Sequence, residues 1–159
     1  MSRIEISGFA RKKYKNLAEF VATESLKLMN QPNEIEIAID FVSKNRIRTL
    51  NREIRQIDKV TDVLSFPATE IKESEILDIS SEESNFLKNE EGYVHFGDMA
   101  LCLSQCKRQA KEYGVSIESE IKKLVIHSCL HLMGYDHIKD EDYELMNEKE
   151  IELDRKIKI

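Results

Sequence analysis

No apolar run in this 159-residue chain approaches the roughly 18 to 20 residues that a membrane-spanning helix requires. Residues 1–6, MSRIEI, lack the apolar stretch of a signal peptide, so the expected location is cytoplasmic. Positive charge is not in excess either. A net charge of −6 argues against a protein that coats nucleic acid without specificity, because such binding is driven by counterion release at basic surfaces. A local basic groove stays open: Lys and Arg cluster at residues 11–15, at Lys44, Arg46, Arg48, Arg52 and Arg55, and at Lys107, Arg108 and Lys111. Clusters of this size are ordinarily solvated helix faces unless they converge on one site. Cysteine is scarce and odd in number, at three, which suits reduced thiols acting as small hydrophobes better than a disulfide framework. There is no internal repeat and no sign of a second domain. The length matches a single domain over residues 1–159, and the 41% hydrophobic content suits a globular core.

What is present reads as alternating strands and helices. Residues 2–7 and 34–42 alternate apolar and polar positions as strands do, residues 61–67 end a β-rich stretch at Pro67, and residues 93–103 read as a further strand. Helical spacing runs over residues 14–29, from a Ser43 cap to about Arg55, over 104–113 up to Gly114, and from a Ser116 cap to Met133. A last helix begins near the acidic triplet Asp140, Glu141 and Asp142, where the helix dipole favours negative charge. Residues 68–91 form an acidic segment, rich in Glu, Ser, Lys and Asn, that is expected simply to connect. The fold class expected is α+β: a small mixed β-sheet of about four strands packed by helices, with the apolar helix over 124–133 at the centre.

Histidine is also scarce, with four in the chain, yet three fall in the eleven residues HSCLHLMGYDH. His127 and His131 lie one helical turn apart, about 6 Å, so both imidazoles reach one ion. Gly134 is placed to let the backbone leave the helix left-handed, and His137 then closes a three-histidine metal site. Cys129 points away from the shared face and belongs to the core. Two imidazoles inside an otherwise apolar helix are costly without a partner, which favours a metal over three structural histidines. Three neutral nitrogens suit one Zn2+, and nickel, copper or another divalent metal would also accept them. An incomplete ligand set favours catalysis, unless Asp136, His95 or Asp98 supplies a fourth ligand. His95, alone on a strand, reads better as structural.

The spacing is that of the metzincin metalloproteases, H-E-x-x-H-x-x-G-x-x-H, with one departure. Ser128 stands where those enzymes place their glutamate base, and a serine hydroxyl cannot do that work at neutral pH. Peptide hydrolysis is demoted, although zinc still lowers the pKa of bound water to about 7.

The segment 127–137 resembles the H-G-x-L-H-L-x-G-Y-D-H signature of the YbeY family of bacterial rRNA-maturation endoribonucleases. Residues 51–67, NREIRQIDKVTDVLSFP, are similar to the family's N-x-x-Y-R-x-x-D-x-P-T-D-V-L-S-F-P, and Phe96-Gly97-Asp98 resembles its L-G-D-I strand. The departures are Ser128 for Gly, Ile54 for Tyr, Val60 for Pro, and a longer acidic segment before Phe96. The resemblance implies that His127, His131 and His137 bind the metal and that Arg55 is the essential arginine. It implies a metal-dependent, single-strand-type endoribonuclease in small-subunit rRNA maturation and ribosome quality control. Ribosomal RNA would be the substrate, with ribosomal proteins or a ribosome-associated GTPase as partners. A guanidinium fork suits phosphate, so Arg55 would neutralise the scissile group. Asp136 would orient a histidine or cap the turn, and Asp62, Ser65 and Asp98 would support the site or simply bond strand ends. Two other readings remain: a metalloprotease, and a non-catalytic ribosome assembly factor with a structural metal.

Overall fold

The computed structural model describes residues 1–71, 75–79, 87–136 and 138–159. Among these the chain forms β1 (Arg3–Gly8), α1 (Lys12–Leu28), β2 (Ile35–Phe41), α2 (Lys44–Arg55), β3 (Val63–Pro67), β4 (Val94–Leu101), α3 (Leu103–Tyr113), α4 (Ile117–Leu132) and α5 (Asp140–Lys156). The strands make one mixed sheet in the order β1-β2-β4-β3. β1, β2 and β4 run parallel, and β3 pairs antiparallel to β4 at the edge. The expected α+β class with a four-stranded mixed sheet is what the chain adopts.

The helix boundaries follow from capping chemistry. Ser43 Oγ accepts the Arg46 N–H at 3.1 Å and Ser116 Oγ accepts the Ser119 N–H at 3.0 Å, each satisfying a first-turn donor. Gly114 closes α3 in the left-handed region. α2 ends differently: Gln56, not a glycine, takes the left-handed position with φ 59°.

The sheet has apolar residues on both faces. On one, Ile35, Ile37, Ile39, Val94, Phe96 and Leu101 pack with α1 and α4; on the other, Leu64, Ala100 and Cys102 pack beneath Ile47 of α2. The alternation along β4 breaks between Phe96 and Met99, both buried in the first cluster. A β-bulge explains it: Glu36 pairs His95 and Ile37 pairs Gly97, so Phe96 is the extra residue. Gly97 has φ 150°, and a Cβ there would lie 2.4 Å from the Phe66 carbonyl oxygen and 2.7 Å from Leu132 Cδ2. The missing side chain is what lets α4 close on the β3–β4 pair at that point.

α4 is the central helix. Ile121, Leu124, Val125, Ile126, Cys129, Leu130 and Leu132 are all buried, and α1, α3, α5, β3 and β4 pack around it. All three cysteines are buried with free thiols. Residues 68–91 do more than connect. Ile71, Leu77 and Ile79 pack against the main core, and Gln31 ties the segment down by accepting the Leu77 N–H at 3.1 Å and donating to the Glu75 carbonyl at 2.9 Å. Partial burial of these scattered apolar side chains adds packing to a segment whose polar composition led to the expectation of a plain connector. Residues 72–74 and 80–86 of that segment lie outside the described residues.

Candidate metal centre and cleft

The motif helix terminates as its glycine requires. Gly134, with φ 93°, donates to the His131 carbonyl at 3.0 Å, and Tyr135 N–H reaches back to the Leu130 carbonyl at 3.0 Å. This pair of bonds is a Schellman motif. It turns the Tyr135 carbonyl towards the His131 ring, whose Nδ1 donates to it at 2.9 Å.

His127 is held from another helix. Its Nδ1 bonds the carboxylate of Glu150, on α5. A carbonyl oxygen can only accept, so His131 Nδ1 carries its proton, and the Glu150 carboxylate fixes the His127 tautomer in the same way. In the neutral rings this leaves both Nε2 atoms as acceptors, and they lie 3.1 Å apart, with the rings edge to face at a centroid distance of 4.6 Å. Two acceptors at this separation can share one cation. The donor set therefore fits a divalent ion such as zinc, each imidazole being anchored through its other nitrogen as metal-binding histidines generally are. His137, the third histidine of the motif, lies outside the described residues. Among the described residues no three His, Cys, Asp or Glu side chains close on one point.

His127 and His131 line a cleft of about 1370 Å³ that runs along β3, the edge strand of the described sheet, and reaches Arg55 at the end of α2. The structure thus brings Arg55, from the far side of the sheet, to the same depression as the histidine pair. Arg55 is exposed and makes no ion pair among the described residues, whereas Arg48 and Arg52 both approach Asp58, at 2.8 Å and 3.7 Å. Glu70, Glu75 and Lys123 also line the cleft, and Lys123 Nζ lies 3.0 Å from Glu120 Oε1.

The remaining candidates separate. His95 and Asp98 do not reach the histidine pair: His95 Nδ1 bonds Glu36 at 2.9 Å and its Nε2 faces Asp98 at 3.2 Å, away from the cleft lining. Asp136 lines the cleft, but its Oδ1 accepts the Ile138 N–H at 3.3 Å, so it caps the turn. Asp62 holds the start of β3, accepting from its neighbour Val63 N–H at 2.7 Å and from Gln109 of α3 at 3.1 Å. Ser128 is fully buried with its Oγ 2.5 Å from Ser65 Oγ, so it braces α4 against β3 instead of narrowing the cleft. Cys129 sits in the core, where burial pushes its thiol up to about 12, and burial does the same to Cys106.

Glu150 and the Tyr135 carbonyl are the participants that sequence reasoning missed. Tyr135 was reachable, because a Schellman turn at Gly134 directs the next carbonyl back along the helix. Glu150 was not, since it is one of many carboxylates on α5 and only the packing of α5 on α4 singles it out.

The sequence model of the family described as endoribonuclease YbeY matches residues 2–158. An endoribonuclease YbeY from Clostridium acetobutylicum is 42% identical over 140 residues, 87% of this chain and 84% of that protein. One from Caldanaerobacter subterraneus is 45% identical over 118 residues, 74% of this chain and 71% of that protein. The solution structure of a Thermotoga maritima protein superposes with a TM-score of 0.60 at 27% identity, covering 96% of this chain and 87% of that one. On the histidine motif, the Arg55 segment and these matches together, the chain belongs to the endoribonuclease YbeY family.

Proposed function

We propose that this chain is a metal-dependent endoribonuclease that cleaves single-stranded ribosomal RNA during small-subunit rRNA maturation and ribosome quality control, in the cytoplasm. The observation that carries the reading is the meeting of Arg55 with the His127–His131 pair on one cleft. The relatives named above as endoribonucleases supply the reaction class. His127, His131 and His137 would hold one zinc ion, and nickel or another divalent metal would fit the same nitrogens. When bound, such an ion supplies Lewis-acid stabilisation and lowers the pKa of water. The chain's own residues bind and orient. Arg55 offers a planar fork to a phosphate, and in the cleavage step it neutralises charge building on the non-bridging oxygens. Glu150 and the Tyr135 carbonyl hold the two imidazoles with their Nε2 atoms converging. Ribosomal proteins or a ribosome-associated GTPase would deliver the rRNA.

A metalloprotease reading draws on one observation: among the described residues β3 is an edge strand lying in the cleft, suited to pairing with an extended peptide. Against it, Ser128 occupies the base position and is buried against Ser65. Purified protein with and without chelator, offered structured RNA and casein, separates the readings. Chelator-sensitive RNA cleavage with intact casein is expected. Casein hydrolysis identifies a protease, and intact RNA from protein that retains its metal identifies a non-catalytic assembly factor.

A further inference from the structure

The twelve residues of α2, KNRIRTLNREIR, carry five basic side chains and one acid in a chain whose net charge is −6. Four of the five share one side of the helix. Lys44, Arg48, Arg52 and Arg55 are spaced by four, four and three residues, which at 100° per residue places them within an arc of about 80°. Arg46 falls on the opposite side with Glu53. All four members of the stripe are exposed, while Ile47 packs on the sheet and Asn51 is buried against the segment before β3, donating to the Lys59 carbonyl at 3.0 Å. From Lys44 to Arg55 the stripe runs about 16 Å along the helix, and its last member lines the cleft.

Asp58 shapes this row without neutralising it. Its carboxylate accepts from Arg48 Nε at 2.8 Å and Nη2 at 3.2 Å and lies 3.7 Å from Arg52, so one acid steadies two guanidiniums and three net positive charges remain in the row. Those arginines hold the Asp58 carboxyl below the usual carboxylate range, which keeps it ionised as a clamp. Ile54 and Ile57, 50% and 39% exposed, flank the end at the cleft and offer apolar surface to an unstacked base.

We propose that this stripe is a phosphate track along which single-stranded RNA enters the cleft, with Arg55 as the point where the track meets the histidine pair. The inference rests on the endoribonuclease reading and extends it to how substrate is steered. A row of cations leading to one reactive point aligns a polyanion, and its contribution is sequence-independent and salt-sensitive.

The test is binding of a fluorescein-labelled 2′-O-methyl oligouridylate of twelve nucleotides, by anisotropy over a series of salt concentrations. For single strands each lost phosphate contact reduces the slope of log affinity on log salt by about 0.7. Lys44→Gln with Arg48→Gln is expected to reduce it by about 1.4, and Lys44→Gln alone, which leaves the Asp58 clamp intact, by about 0.7. Lys12→Gln with Lys27→Gln, the same charge change on exposed positions of α1, is expected to leave the slope in place. Equal reduction in both double variants overturns the track in favour of bulk charge. Unchanged slopes in the stripe variants, from a wild-type protein that cleaves RNA, overturn the track alone. A wild-type protein that neither binds nor cleaves RNA overturns the endoribonuclease reading and the track with it.

Discussion

Replacing Glu150 by alanine is predicted to weaken zinc binding by about 10- to 100-fold, the range found when a residue orienting a metal-binding histidine is lost. At 1.4 kcal/mol per decade this is about 1.4 to 2.8 kcal/mol. The magnitude has a local cause. Glu150 accepts from His127 Nδ1 and so keeps the lone pair on Nε2, 3.1 Å from its counterpart on His131. Without it the ring is free to turn and to exchange tautomers, and each binding event must restore both. Glu150→Gln keeps an acceptor oxygen of the same shape but a neutral bond of about half the strength. It should therefore lose less than tenfold. Competition against a chromophoric chelator measures the affinity, and thermal unfolding of the metal-free protein serves as the control. The Glu150 side chain is only 27% exposed, so its removal takes a charged acceptor from His127 Nδ1 and should cost the metal-free fold about 1 to 3 kcal/mol. Wild-type zinc affinity in Glu150→Ala would refute the reasoning. Equal losses in the Ala and Gln variants would refute the role given to the carboxylate charge.

Gly97→Ala should destabilise the fold by at least about 2 kcal/mol, from a positive-φ position combined with overpacking against the Phe66 carbonyl and Leu132; a wild-type urea midpoint would contradict this. The buried Cys129 thiol, pushed up to about 12, gives an alkaline signature. Above pH 9 the unfolded chain releases this proton while the folded chain keeps it, so stability falls as pH rises from 9 towards 12, by about 1.4 kcal/mol at pH 10. Urea unfolding at pH 8 and pH 10 should show a smaller loss in Cys129→Ala than in wild type by that amount, and equal losses would count against it.

Where one local interaction decides an element, the sequence was readable. Ser43 and Ser116 cap helices as hydroxyls do, and Gly134 ends α4 where a left-handed residue was needed. His127 and His131 meet because four residues make one turn, which required no knowledge of the rest of the chain. Features that depend on packing were not readable. The bulge at Phe96 shifts the period of β4 in mid-strand, and only the register with β2 reveals it. Glu150 looks like every other acid on α5 until α5 lies on α4. Ile71, Leu77 and Ile79 are so widely spaced in a polar segment that no periodicity marks them as half-buried against the core. Arg55 is intermediate: its position at a helix end was legible, and the resemblance to a family, not its spacing, pointed to a function.

The most direct measurement is single-turnover RNA cleavage by the Arg55→Ala protein, with metal content determined by mass spectrometry on the same preparation. Arg55 is exposed and has no ion pair among the described residues, so the variant should fold and keep its metal at wild-type levels. If Arg55 neutralises charge building on the phosphate as proposed, its loss should slow cleavage by about 100- to 1000-fold. Cleavage at the wild-type rate would contradict the account, because Arg55 and the histidine pair would then share a cleft without sharing a reaction.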